Sequence, residues 1–448
     1  MKKLFLILMS VLLVGMMVTG VAPAQKKVTL TVTWAAWYPA DYLIKLSNDF
    51  TKQNPNIKVK GAFIPWPQYH DRVFTEFASG KPSFDIAVPD SQWIGEAVEG
   101  GHLLDISDWM KKNINFDDWY EFPLRSYGEY PDYSGHWYGV PLLLDFVMCA
   151  YRKDLFNDPK EKAAFKSKYG YDLGVPKTWQ ELLDIARFFT RPKKNLYGFA
   201  TWQAPIATAG LADVFLGPFW SMGGNLWDPR TKHVEGILNN WYGIDAAKFW
   251  VELYKTQPPG SSNYSIDETM TAMQQGLVAM IGIYAMFYPG LLDPSLSMYA
   301  DKTGFFTEPG AIGRDGVFRH YIELGGQGLA VSAYTPYKEE ALKFIKWTTT
   351  DDFLWKWTEG GNFTPKKTIV EDPAFLKKFP YPEIAKVVRE SAPLLRDFWE
   401  IPQYNEMGEY LSIQLNQAIL GKITPEQAMD NIAKRHEEIL RRAGYYKD

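Results

Sequence analysis

The chain has 448 residues, 48 basic and 52 acidic side chains, a net charge of −4, 46% hydrophobic content and one cysteine. That length exceeds what a single simple core organises and points to two lobes. The mildly acidic balance argues against nucleic-acid phosphates or anionic lipid as the main partner, and a lone cysteine excludes any intramolecular disulfide.

Met1-Lys2-Lys3 precedes an apolar run from Leu4 to Val18, and Ala22-Pro23-Ala24 follows it. A basic start, an apolar core and a small-x-small exit are the parts of a secretory signal peptide covering residues 1–24. No cysteine stands directly behind the run. The expectation is a protein exported across the cytoplasmic membrane, periplasmic or extracytoplasmic, with no lipid anchor.

Val28 to Trp34 alternates Val and Leu with Thr and reads as a strand leading to Trp37. Asp41 to Gln53 places Tyr42, Leu43, Leu46 and Phe50 on one helical face, Ile57 to Lys60 resumes the period of two, and Pro67 to Ser79 is again helical. Phe84 to Val88 is a short apolar strand after Gly80-Lys81-Pro82. This β-α-β-α-β order with short connections predicts a largely parallel sheet covered by helices. Cys149 sits in the apolar run Phe146 to Tyr151, as a small buried hydrophobe would. Thr178-Trp179-Gln180-Glu181 has the spacing of a capping box and starts a helix toward Phe189. Tyr197 to Ala200 reads as a strand, Asp245 to Tyr254 as a helix, Ala279 to Ile283 and Leu329 to Val331 as strands. Thr424-Pro425-Glu426-Gln427 offers a second capping box, whose helix ends before Gly444.

Catalytic and metal signatures are sparse. The six histidines are scattered, and His436-Glu437-Glu438-Ile439-Leu440 has Leu where a zinc motif needs its second His. There is no nucleophile elbow and no phosphate loop, and Gly325-Gly326-Gln327-Gly328 leads into a strand where a dinucleotide site needs a helix. No cofactor and no metal are expected. Paired carboxylates that could hydrolyse a glycoside are not excluded by counting, so a secreted glycoside hydrolase stays as the enzyme alternative.

The seventeen tryptophans carry a further pattern. Trp34 and Trp37 follow the first strand, and Asp90, Ser91, Gln92 and Trp93 follow the third. Trp202 and Gln203 follow Phe199, Tyr284 follows Ile283, and Asp397 and Trp399 lie near the end. In an open α/β sheet, ligands bind outside the carboxyl ends of the strands. Sugars suit aromatic rings beside carboxylates and amides, because their C–H faces lie on rings while hydroxyl pairs are gripped by two hydrogen bonds. Packing accounts for most tryptophans taken singly, Trp355 and Trp357 among them.

In this order the segments resemble the family 1 extracellular solute-binding proteins of ABC importers, the maltose-binding protein type. The pieces are Phe84 to Val88 with Gly101 to Ile106, then Gly139-Val140-Pro141 through Asp145 to Tyr151-Arg152-Lys153-Asp154. Pro176-Lys177-Thr178-Trp179-Gln180-Glu181-Leu182, Gly276-Leu277-Val278-Ala279-Met280 and Gly325 to Val331 complete them. The resemblance implies an α/β periplasmic binding protein of type II: two discontinuous lobes joined by crossing hinge strands, with ligand in the cleft between them. The lobes would be residues 25–143 with 305–349, and 144–304 with 350–448. It implies a monomer that is no enzyme, binds a mono- or oligosaccharide, closes about its hinge and is read by membrane permease subunits, with a polyol or another non-sugar solute as the alternative ligand. Asp145 falls where the family often carries a sugar-binding acid. The candidate ligand residues are Trp37, Trp66, Asp90, Gln92, Asp145, Trp202, Gln203, Tyr284, Phe287, Gly326, Gln327, Asp397 and Trp399. Where the family usually has a Trp beyond Ala279-Met280, Met286 stands here between Tyr284 and Phe287, which leaves open the stacking ring of that loop.

Overall fold

The computed structural model describes residues 26–208 and 210–446, and the expected signal peptide lies outside them. In chain order the strands are β1 (Val28–Ala35), β2 (Ile57–Ile64), β3 (Ile86–Ala87), β4 (Gly139–Arg152), β5 (Tyr197–Thr201), β6 (Val278–Tyr284), β7 (Thr303–Thr307), β8 (Ala311–Ile312), β9 (Phe318–Arg319), β10 (Ile322–Val331) and β11 (Leu395–Arg396). No helix among the described residues is long and apolar enough to cross a membrane.

β1 lies between β2 and β3 and pairs with both in parallel. Only Thr29 of β1 is exposed, as expected of a parallel strand covered on both faces. Its buried threonine hydroxyl at position 33 donates to Ala62 O at 3.0 Å, and the Thr31 N–H donates to Asp85 Oδ2 at 2.8 Å, so these polar groups enter the core paired. Helix Tyr38–Gln53 buries Leu43, Leu46 and Phe50, and helix Trp66–Ala78 buries Tyr69, Val73 and Phe77.

β4 changes partner midway. Residues 139–146 pair antiparallel with β10, whereas residues 147–152 pair antiparallel with β6 and β7 on its two sides. The whole order is β2-β1-β3-β10-β4-β6-β5, with β11 on β10, β7 on β4 and a separate β8-β9 hairpin. β4 is buried throughout except at Tyr151. Cys149 is fully buried within it, and burial raises its thiol pKa, which suits packing rather than nucleophilic chemistry.

Several elements differ from their expected limits for local reasons. The helix expected from Asp245 begins at Trp241, because the Asn240 carboxamide oxygen accepts from the N–H groups of Tyr242 and Gly243. At Thr178 only half of the expected box forms. The hydroxyl accepts from Glu181 N at 3.1 Å, while the Glu181 carboxylate takes the Lys177 N–H instead. The box at Thr424 and Gln427 is complete, and Gly444 follows its helix with φ +84°. The largest difference is β10, which starts at Ile322 rather than Leu329 and passes straight through the glycine cluster. Glycine has little strand propensity, but the close approach of neighbouring groups requires it here.

Packing also bears on the two-lobe division. β7 pairs with the half of β4 that carries β6. Helix Asp351–Glu359 lies against helix Tyr38–Gln53, where Tyr42 Oη donates to Lys356 O at 3.1 Å and Lys356 Nζ reaches Asp49 at 3.2 Å. Helices Tyr404–Ile419 and Pro425–Arg442 pack on each other and on helix Trp241–Tyr254.

Candidate ligand-binding cleft

The ends of β1, β2, β3 and β6 meet the middle of β4 and β10 around a chamber of about 200 Å³. Trp37, Trp66, Asp90, Gln92, Asp145, Tyr284, Phe287, Gly326 and Gln327 line it, together with Ala35, Ala36, Thr208, Ile266 and Gly325. No lysine or arginine is among these residues.

The polar groups of the wall are held in a chain. Trp34 is fully buried, and its indole N–H donates to Gln327 Oε1 at 2.9 Å. The Gln327 amide then presents its nitrogen to Asp90 Oδ2 at 3.4 Å, while Asp90 Oδ1 accepts from Ser91 N at 3.0 Å and caps the turn Ser91–Trp93. Asp90 is thus both cap and wall. Gln92 Nε2 donates to Tyr404 Oη at 3.3 Å. Asp145 stands two residues before the change of partner at Val147 on β4, and its Oδ1 accepts from Phe146 N at 2.9 Å and Met286 N at 3.2 Å. It therefore ties the crossing strand to the loop after β6.

The rings are backed in the same way. Trp66 stacks on Trp93 with centroids 5.4 Å apart, and Trp37 meets Trp34 edge-on at 5.7 Å. The Trp37 indole nitrogen is buried and lacks a hydrogen-bond partner among the described residues. Tyr284 rests against Trp202 at 5.0 Å, and its hydroxyl lies 3.1 Å from both Asp213 Oδ2 and Glu323 Oε1. One phenol has a single proton to donate, so two hydrogen bonds at those distances require a proton on one carboxyl. Burial first, and then the Asp213 charge, raises the pKa of Glu323.

Four candidates stand elsewhere. Trp202 is fully buried behind Tyr284. Gln203 is also fully buried, accepting from Trp250 Nε1 at 3.1 Å and donating to Gln257 at 2.9 Å. Asp397 and Trp399 line a separate cavity of about 530 Å³. Position after a strand does not reveal which way the chain turns, and here the Tyr284 ring packs on Trp202 while Trp250 of helix Trp241–Tyr254 binds Gln203. Sequence reasoning missed Thr208, Ile266 and Gly325. Ile266 had a readable signal, because Ser265 and Glu268 form a capping box that fixes the start of its helix. His436 of the broken zinc motif is buried against Trp399, bonded to Met407 O at 2.9 Å and held neutral by burial, with a pKa of about 4.

Buried carboxyls give the protein a definite pH response. Burial pushes Asp145 and Asp397 up to about 7, and raises Asp90, Glu308 and Glu400 as well. The unfolded chain releases these protons near 3.8 for Asp, whereas the folded chain keeps them to higher pH. Their stabilisation is full below the unfolded value and is lost as pH rises through about 7. Calorimetry of the ligand-free protein should show a melting temperature that falls from pH 5 to pH 8. A rise across that window would mean that these carboxyls are ionised in the fold.

The family described as bacterial extracellular solute-binding protein matches residues 36–353. A probable amino-acid ABC transporter periplasmic-binding protein from Sinorhizobium fredii is 24% identical, over 94% of this chain and 91% of its own. A mannitol-binding protein from Pseudomonas aeruginosa is also 24% identical, over 95% of this chain and 96% of its own. Among solved structures, an ABC transporter solute-binding protein from Agrobacterium radiobacter in complex with ribitol superposes with a TM-score of 0.74 at 25% identity, covering 92% of this chain and 99% of that one.

Proposed function

Because the chain belongs to the bacterial extracellular solute-binding proteins, we propose that it captures a neutral polyhydroxylated solute, a sugar or sugar alcohol, outside the cytoplasm and delivers it to the permease subunits of an ABC importer. One observation carries the choice of solute: four aromatic rings and the side chains of Asp90, Gln92, Asp145 and Gln327 converge on one chamber without a basic residue. Rings take the C–H faces of such a solute and carboxylates or amides take its hydroxyl pairs, while an anion would find no counter-charge. Sugar alcohols present the same hydroxyl pairs as sugars, and the similar proteins named for mannitol and ribitol favour keeping both.

In this reading one lobe holds β1 to β3, the first half of β4, β10 and the helices Lys338–Thr348 and Asp351–Glu359. The other holds the second half of β4, β5 to β7 and the two C-terminal helices. Ligand bound to one lobe draws the other over it, since closure can be driven only by contacts that are better in the closed form. Trp37, Gln92 and Gln327 from the first lobe and Tyr284 and Phe287 from the second supply such contacts, with Asp145 at the crossing between them. The closed monomer is the form that the permease reads.

Titration of the purified protein with a panel of sugars and sugar alcohols, followed by tryptophan fluorescence and calorimetry, tests the proposal. Binding by at least one member supports it, and no response from any member overturns it. Asp145→Ala should weaken the best ligand by about 1.5–3 kcal/mol, roughly ten- to a hundredfold. Full affinity in that variant would remove Asp145 from the site.

A further inference from the structure

We infer that Asp213 and Glu323, which stand behind the chamber, are positioning residues that hold the Tyr284 ring in the chamber wall through one shared proton, so that capture of the solute weakens as pH rises. The inference rests on the sugar-or-polyol reading and adds a proton to it.

Tyr284 lines the chamber, whereas Asp213 and Glu323 do not. Three contacts set its ring. Trp202 packs on it with centroids 5.0 Å apart, and β10 comes so close that a Cβ on Gly325 would sit 2.7 Å from Tyr284 Cε1. The third contact is made by the hydroxyl, 3.1 Å from both Asp213 Oδ2 and Glu323 Oε1, and both acids are fully buried. Two carboxylates cannot both accept one phenol proton. The arrangement closes when one carboxyl donates to the phenol oxygen and the phenol donates to the other carboxyl, so the proton belongs to the pair. Glu323 Oε2 is buried without a hydrogen-bond partner among the described residues, which a neutral carboxyl tolerates far better than a carboxylate.

The surroundings disfavour a second charge. Asp90 on the turn after β3, Asp397 after β11 and Glu308 after β7 face the site, as does the phenol of Tyr404 on helix Tyr404–Ile419. Asp145 of β4 and the phenol of Tyr127 adjoin Asp90 and Asp397 in turn. Arg396 pairs with Glu323 between β11 and β10, but its guanidinium lies over the Trp220 and Tyr321 rings at 5.1 and 5.4 Å and donates to Asn225 Oδ1 at 3.0 Å. Loss of the shared proton therefore leaves two like charges across a single hydroxyl. Solute in the chamber displaces water from the open side of Tyr284 and desolvates the acids behind it further. The complex then keeps the proton to higher pH than the free protein does. Affinity is full at low pH and falls as pH rises, and binding takes up a proton between the two ranges.

The test is calorimetric titration at pH 6 and pH 9 with mannitol, ribitol and maltose as probes. With the tightest probe, the unaltered protein should lose at least about tenfold in affinity across that range. Asp90 and Asp145 also face the solute, so variants assign the loss. Glu323→Ala should weaken binding at pH 6 at least about tenfold. Glu323→Gln, whose amide donates to the phenol without a proton to lose, should recover that affinity to within about threefold and shrink the loss at pH 9 at least about threefold. Tyr284→Phe combined with Glu323→Ala should cost little more than the larger single loss, because both act through one hydroxyl. A Gln variant as weak as the Ala variant overturns the inference, as does one with the pH profile of the unaltered protein, or additive losses in the pair. Infrared spectroscopy of the ligand-free protein gives an independent reading. The band of protonated carboxyl should lose intensity in the double variant Asp213→Asn/Glu323→Gln, and an unchanged band overturns the shared proton even where Glu323→Ala does not fold. Failure of every probe to bind at either pH overturns the sugar-or-polyol reading and the positioning role together, whereas binding with a flat pH profile overturns the positioning role alone.

Discussion

Replacing Gly326 with alanine is expected to abolish measurable ligand binding and to lower the melting temperature. Gly326 lies in β10 with φ +101°, a conformation that side-chain-bearing residues rarely adopt, and holding alanine there costs about 1–3 kcal/mol. A Cβ at that point would sit 2.4 Å from Leu143 O, 2.5 Å from Tyr127 Oη and 2.8 Å from Asp145 N. Two of these atoms are backbone of β4, so the crossing strand itself must shift, and overpacking of that kind costs about 1–3 kcal/mol more. The shift would fall on Asp145 and on Gln327 beside it. Gly316 supplies the control. Its φ is +76°, but no atom lies within 4 Å of its Cβ position. Gly316→Ala should show only the smaller penalty of backbone strain and should bind normally. Titration and thermal unfolding of the two variants separate the effects, and normal binding by Gly326→Ala would mean that β4 and β10 do not approach as described.

Gly95→Ala is expected to weaken binding roughly ten- to a hundredfold while leaving the ligand-free protein close to its original stability. Gly95 lies in helix Ile94–Glu99, directly after the turn that carries Asp90 and Gln92. A Cβ there would meet Glu400 O at 2.3 Å and Ile401 Cα at 2.8 Å. Those atoms belong to the segment that leads into helix Tyr404–Ile419, and backbone cannot rotate away as a side chain can. In the proposed lobe division this contact joins the two lobes, so added bulk is expected to oppose closure rather than folding. Calorimetric titration reads the loss of affinity, and unfolding of the ligand-free variant reads the fold. A variant that loses stability without ligand as much as it loses affinity would show that Gly95 packs within a rigid body, and closure at this surface would be ruled out.

Much of the architecture was legible because alternating strand and helix patterns are local. Val28 to Trp34 and Tyr38 to Gln53 declare themselves by period, and Thr424 with Gln427 declares a helix start by capping. β10 was mostly hidden, since Gly325 to Gly328 contradict strand propensity and are explained only by the groups packed against them. The same holds for Trp202 and Gln203. Both follow a strand, as the chamber-lining Trp37 does, but the Tyr284 ring packs on Trp202 and Trp250 binds Gln203. Nothing within ten residues of position 202 encodes those neighbours.

The sequence by itself determined that no disulfide closes within the chain, that strands and helices alternate, and that the charge is mildly acidic with aromatic residues in excess. These are properties of composition and of short-range periodicity, which need no partner from elsewhere in the chain. The tertiary structure alone decided which rings and acids share a space. Asp90 reaches Gln327 across 237 positions, and Gln92 reaches Tyr404 across 312. Contacts at that separation depend on how β4 and β10 cross, and a chamber wall is a property of the crossing rather than of any segment that enters it.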